Sequence, residues 1–151
     1  MILMITKKMF GVSLCMLVSF MLFSCSNQRD YSDIENLLNR WANSVRYLNY
    51  AEYTKLEAYP KDSNTFKIMY QNYYITNLQI VEVDDKLHNG TDSDGKPYEF
   101  KNVKFIATII NRQSGKGEQV VNGDIKLIRY VTGAKKEKGW LLSNRTLIHQ
   151  Q

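Results

Sequence analysis

This chain of 151 residues contains two cysteines and two histidines, which are the residue types that bind zinc most often. Cys15 lies inside an apolar N-terminal segment, and Cys25 follows directly after that segment. His88 lies in a polar stretch, and His149 is the third residue from the end. A catalytic or zinc-binding histidine is held by a rigid element and by a second shell of partners, and the sequence gives neither histidine such a setting. We therefore predict no metal site, no cofactor and no catalytic residue.

The run from Gly90 to Gly95 shares some features with a calcium-binding loop. Aligning Asp94 and Gly95 with the end of the D-x-D-x-D-G pattern puts Gly90 at the first ligand position and Lys101 where a bidentate glutamate belongs. Both positions lack the required carboxylate. We therefore interpret the run as a polar turn.

Tyrosine is the unusual component of the composition, with ten in the chain, seven of them between Tyr47 and Tyr74. Aromatic rings with a polar tip suit the packing of helices on a sheet, the wall of a half-wet cavity, or a partner interface. All three interpretations remain open from the sequence. The residues predicted to line a cavity or hold a ligand are Trp41, Tyr50, Tyr53, Tyr70 and Tyr73.

The N-terminal segment has the features of a secretory signal peptide. Lys7 and Lys8 precede fifteen uncharged, mostly apolar residues, and the small Ser24 follows them. The apolar run is shorter than the roughly 20 residues that span a bilayer. We predict removal of residues 1–24.

The end of this segment, Leu22-Phe23-Ser24-Cys25, resembles the lipobox of bacterial lipoproteins. Phe23 departs from the small or β-branched residue usual at its position, whereas the other three residues fit. The resemblance implies a diacylglyceryl group on the Cys25 thiol, an acylated Cys25 amine and a lipidated tether over residues 25–31. It also implies the envelope of a Gram-negative-type bacterium, and Ser26 favours the outer membrane over the inner.

Charge is distributed unevenly along the chain. Residues 25–94 carry 7 Lys/Arg and 11 Asp/Glu, whereas residues 95–151 carry 11 and 4. Lys135, Lys136 and Lys138 crowd one predicted hairpin tip, which is either a contact with an anionic surface or an ordinary solvated turn. An exported lipoprotein is not expected to bind nucleic acid.

Hydrophobic periodicity predicts three helices followed by four strands, and hence one α+β domain over residues 32–149. Ser32 and Glu35 form a capping-box pattern, and Asn49 with Glu52 repeats it. The apolar stripe of the first helix is Ile34, Leu37, Leu38, Trp41, Val45 and Leu48. The second helix is expected to end before Pro60, and a third is expected over about 64–73. The four strands are predicted as antiparallel, with residues 84–97 as a loop and the helices packed on one face.

The pattern Leu38-x-x-Trp41…Tyr47-Leu48-Asn49-Tyr50-x-x-Tyr53, followed by strands and a terminal Gly139-Trp140-Leu141-Leu142, resembles the nuclear-transport-factor-2-like (cystatin-like) superfamily. The resemblance covers about residues 31–149. It implies a cone in which a curved sheet wraps the first helix and leaves a cavity at the wide end. The extra hairpin usual between the second and third helices is not recognisable here.

Two functions follow. The first is a membrane-anchored envelope lipoprotein, non-catalytic, that binds a protein partner or a small amphipathic ligand, or that serves in an assembly. The second is an enzyme resembling ketosteroid isomerase, which would need an inward-facing carboxylate beside a tyrosine. Glu52, Glu57 and Glu82 are the candidates for that carboxylate.

Overall fold

The computed structural model describes residues 28–144 and 148–150. The chain divides into two compact units, residues 1–33 and 34–151. Of the first unit, residues 28–33 are described, and they are helical. The predicted signal peptide and Cys25 lie outside the described residues. No helix within the described residues is both long and apolar enough to cross a bilayer.

Three α-helices occur within the described residues: α1 over 28–46, α2 over Tyr50–Leu56 and α3 over Ser63–Tyr70. α1 begins four residues before the predicted cap, so the prediction that Ser32 caps the helix is wrong and Ser32 lies inside it. The apolar stripe is otherwise confirmed, since its members from Ile34 to Val45 are buried. Leu48 is the exception, being past the helix end and 39% exposed.

Leu48 closes α1 in a Schellman turn. Its N–H donates to the Val45 carbonyl at 3.2 Å, and the Asn49 N–H donates to the Ser44 carbonyl at 2.8 Å. This geometry requires the left-handed conformation, and Leu48 adopts it with a φ of 51°. Glycine is the usual residue here, because a Cβ in that conformation costs about 1–2 kcal/mol.

Side-chain caps set the starts of the next two helices. The Asn49 side chain accepts from the Glu52 N–H at 3.1 Å, which confirms the predicted cap of α2. Asp62 caps α3 by accepting from the N–H groups of Asn64 and Thr65, an arrangement the sequence reading missed. α2 ends well before Pro60, because Glu57 is extended and bridges to Leu142.

The described residues form one antiparallel sheet of six strands, not the four predicted. The strands are β1 Tyr73–Val83, β2 His88–Thr91, β3 Pro97–Asn111, β4 Gly117–Tyr130, β5 Leu141–Asn144 and β6 Ile148–Gln150. The main order is β1-β3-β4-β5, with β2 also paired to β3 and β6 also paired to β4. The predicted last strand is therefore two short ones, β5 and β6.

β2 lies in the segment 84–97, which is predicted as a loop. It pairs residue by residue with the start of β3, and Gly90 lies opposite Tyr98. A Cβ on Gly90 would come within 2.6 Å of the Tyr98 ring. A side chain at position 90 would therefore displace the Tyr98 ring, which packs directly on the Gly90 backbone.

The main core lies between the helices and one face of the sheet, as predicted. On β3 it takes alternate residues, Val103, Phe105 and Ala107, and they meet Leu127 on β4 and Tyr53 from the helices. A smaller cluster, absent from the sequence reading, lies on the opposite face. It contains Ala58, Ile128, Tyr130 and Leu141, with Tyr98 and Phe100 packed against them.

Candidate functional site

Four of the five residues predicted to line a cavity come together where the three helices meet. Tyr53 and Phe66, which is not one of the five, are at the centre, with ring centroids 4.6 Å apart. Tyr50 and Tyr70 lie 5.5 and 5.2 Å from Phe66, and Trp41 meets Tyr70 edge-on at 6.5 Å. The rings contact one another, which is the arrangement expected of helix packing.

Tyr73 is not part of this aromatic cluster. It opens β1 and is 42% exposed. The sequence reading placed it at the end of a helix, on the same face as Tyr70. Because α3 ends at Tyr70, the change to an extended backbone takes Tyr73 out of helical phase.

Two tyrosine hydroxyls of the cluster hold the segment after α2. The Tyr50 hydroxyl donates to the Lys61 carbonyl at 3.1 Å, and the Tyr53 hydroxyl accepts from the Lys61 N–H at 3.3 Å. Both backbone polar groups of one loop residue are thereby satisfied by the cluster. These hydroxyls therefore position Lys61, and with it the connection between α2 and α3.

Of the three candidate carboxylates, Glu57 alone faces the core. It is 4% exposed and accepts a hydrogen bond from Trp41 Nε1 at 3.0 Å. Glu52 instead pairs with Arg40 and Lys55 at the surface, and the hydrogen bond from Arg40 lowers the pKa of Glu52. Glu82 pairs with Lys104 at 2.6 Å on an exposed part of the sheet.

The helix-covered face of the sheet carries further charged groups beyond the apolar core. Glu99 accepts from both Arg129 Nε and Nη2, at 3.1 and 2.8 Å. Lys101 is buried on the same side of β3 as Val103. The sequence analysis does not predict this ion pair or the burial of Lys101. The alternation of β3, continued back from Val103, would have placed both Lys101 and Glu99 on the buried face.

Trp140 adjoins these charges. The Arg129 guanidinium lies 4.6 Å from the centroid of its ring. The indole is buried in the main core, and Nε1 finds no hydrogen-bond partner in the part of the chain that the structure describes. Charged groups and Trp140 thus lie together on the helix-covered face of the sheet.

The three lysines of the predicted hairpin tip differ in setting. Lys135 donates to the Ala58 carbonyl at 3.2 Å and lies over the rings of Tyr59 and Tyr130, 5.4 and 5.0 Å from their centroids. Lys136 and Lys138 are exposed in a 3-10 turn. Lys135 therefore has a packing role, which leaves the other two for any contact with an anionic surface.

The Tyr59 and Tyr130 hydroxyls, next to Lys135, connect to Asp92 in the polar turn after β2. The Tyr130 hydroxyl donates to Asp92 Oδ2 at 3.0 Å and lies 3.2 Å from the Tyr59 hydroxyl. Burial raises the pKa of Tyr130 far above its usual range, so its hydroxyl stays a donor. The N–H of Lys96 and the Tyr130 hydroxyl lower the pKa of Asp92 and keep it charged. Asp92 also accepts from the Asp94 N–H, so the predicted polar turn is confirmed after Thr91, whereas Gly90 and Thr91 belong to β2.

His88 is held more firmly than the sequence reading expected. Its Nε2 lies 2.8 Å from Asp84 Oδ2, and its ring stacks on Phe100 with centroids 4.9 Å apart. The side chain of His149 is outside the described set. Among the described residues, no three His, Cys, Asp or Glu side chains converge on a common metal position.

Comparison with known proteins gives no relative, since no family model, curated protein or solved structure matches this chain.

Proposed function

We propose that this chain is a lipid-anchored envelope protein whose α+β domain, of the nuclear-transport-factor-2-like class, has a non-catalytic binding or assembly role. The observation that carries the proposal is Cys25, which follows a charged start, an apolar run and a small residue in a lipobox-like sequence. Three acyl chains on Cys25 would give stable anchoring, because two already suffice.

The arrangement of the domain supports the fold class within this proposal. Three helices cover one face of an antiparallel sheet whose longest strands, β3 and β4, form a hairpin. The aromatic cluster fills the space where the helices meet with its own rings. A domain packed in this way offers its outer surfaces to partners.

The anchor is tested on the full chain in membranes. Mass analysis of the membrane fraction is expected to find residues 1–24 removed and acyl mass added to Cys25. Cys25→Ala is expected to release or mislocalise the protein. The matched control is Cys15→Ala, which changes the other cysteine of the chain and leaves membrane attachment intact. Wild-type protein recovered in the soluble fraction with a free Cys25 thiol would exclude the proposal.

A second function, a small cavity enzyme resembling ketosteroid isomerase, is favoured by one observation, the buried carboxylate of Glu57 beside Trp41 Nε1. A buried carboxylate can act as a general base on a carbon acid. The probe is a β,γ-unsaturated ketosteroid, whose conjugated product absorbs in the ultraviolet. Activity lost in Glu57→Gln and retained in Glu82→Gln, with both variants folded, would support the enzyme; no activity in the wild type would exclude it.

A further inference from the structure

The corner where α1 turns into α2 contains a small polar pocket, called here the corner pocket. It has a volume of about 160 Å³ and is lined by Arg40, Asn43, Ser44, Tyr47, Asn49 and Glu52. Tyr47 supplies its one aromatic ring, and the lining contains no aliphatic side chain. Pockets for drug-sized ligands measure about 300–1,000 Å³ and are mostly apolar, so this one suits a smaller and more polar group.

Tyr47 is the most exposed large hydrophobic side chain of the described residues, at 70%. It lies beside Leu48, whose left-handed backbone belongs to the same turn. An aromatic ring with this much solvent exposure is available to stack on a ligand. The corner pocket therefore combines an exposed aromatic ring with a polar lining.

The Tyr47 ring has a cation against it and follows a fixed stretch of backbone. The Arg46 guanidinium lies 5.4 Å from its centroid and 5.5 Å from that of Tyr74. Arg112 donates to the carbonyls of Val45 and Arg46, which fixes the backbone immediately before Tyr47. A ring positioned before binding loses little freedom when a ligand stacks on it.

The charges of the corner pocket compensate each other. Arg40 is paired with Glu52, whose carboxylate also lies 3.4 Å from Lys55 Nζ. An acidic ligand would have to compete with Glu52 for Arg40, and an amphipathic ligand would need an apolar lining. The occupant that fits is uncharged, with many hydroxyls and one apolar face.

A pyranose ring has this chemistry. Its hydroxyls both donate and accept, which matches the Asn43 amide and Arg40 Nη1, since the bonds from Arg40 to Glu52 use Nε and Nη2. Its C–H face can lie on the exposed ring of Tyr47. We propose that the corner pocket binds one neutral sugar unit of a glycan, stacked on Tyr47.

This inference rests on the proposed binding function, for which it names a ligand class, and its test is separate from that of the anchor. The full chain is purified in a sugar-free polyoxyethylene detergent and titrated with chitotetraose, maltotetraose and tetragalacturonic acid. Calorimetry or ligand-observed NMR gives the affinities. We expect millimolar or tighter binding of at least one neutral probe and weaker binding of the acidic one.

Tyr47→Ala is expected to weaken binding of the neutral probe at least ten-fold, whereas Tyr47→Phe keeps most of it. The matched control is Tyr73→Ala, an exposed tyrosine outside the pocket, which should bind as the wild type does. Circular dichroism establishes that each variant is folded. The proposal is overturned if neither neutral probe binds, if the acidic probe binds more tightly, or if Tyr47→Ala and Tyr73→Ala bind equally. Release of Cys25→Ala from membranes is unaffected by any of these results, so failures of the two proposals are distinguishable.

Discussion

Replacing the half-buried Arg112 with alanine should strongly destabilise the domain. Its guanidinium joins the C-terminal ends of two helices. Nη1 and Nη2 donate to the carbonyls of Arg46 and Val45 in α1, both at 2.7 Å. Nε donates to the carbonyl of Tyr70 in α3 at 2.9 Å.

The magnitude follows from these contacts. A hydrogen bond contributes a net of about 0.5–1.5 kcal/mol, and more when one partner is charged. A cation at a helix C-terminus adds about 0.3–1 kcal/mol. The guanidinium also lies 5.0 Å from the Tyr74 centroid, a contact worth about 0.5–1 kcal/mol where water has access. Water can replace part of this network at a half-buried site, so we expect Arg112→Ala to lower the free energy of unfolding by about 2–4 kcal/mol.

The assay is urea unfolding followed by circular dichroism and tryptophan fluorescence. Arg112→Lys keeps the charge but not the planar fork, and it should lose about half as much stability as Arg112→Ala. Arg46→Ala is the matched control. Arg46 also contacts the Tyr74 ring, but the hydrogen bonds to the helix ends come from Arg112. A loss for Arg112→Ala within about 0.5 kcal/mol of that for Arg46→Ala would refute the reasoning.

Three further predictions concern other parts of the domain. Trp41→Ala removes a buried indole and its hydrogen bond to the buried Glu57 carboxylate, so it should lower the free energy of unfolding by about 3–5 kcal/mol. In the same urea assay, Arg40→Ala breaks a surface ion pair and should lower it by about 1 kcal/mol or less. Leu48→Gly relieves the strain of the left-handed backbone, so it should raise the melting temperature and increase the free energy of unfolding by about 1 kcal/mol. A lower melting temperature would mean that leucine is not strained there. Lys136→Glu with Lys138→Glu should abolish salt-sensitive binding of the lipid-free protein to anionic vesicles, and equal binding of the wild type to neutral vesicles would exclude that contact.

Periodicity in the sequence predicted the helices and strands whose buried face follows from the spacing of neighbouring residues. The 3.6-residue spacing from Ile34 to Val45 identified the buried face of α1, and the alternation from Val103 to Ala107 identified that of β3. The Asn49 cap of α2 was visible because it depends on residues three apart. Such signals suffice for the fold class, since each element carries its own pattern.

Short strands were not visible in the same way. β2 has four residues and no hydrophobic alternation, and it exists because β3 offers backbone partners and Tyr98 packs on Gly90. Its formation is decided by a neighbouring strand, which no local pattern encodes.

The setting of individual side chains was decided by tertiary structure alone. Tyr53 and Tyr73 are chemically identical, yet one is buried at the centre of the aromatic cluster and the other is exposed. Lys135 packs on two rings while the lysine beside it is solvated. The sequence determines that such residues are available, but their burial and partners depend on which distant segments fold against them. A core and a pocket are built from contacts between residues far apart in the chain, and local spacing does not contain those distances.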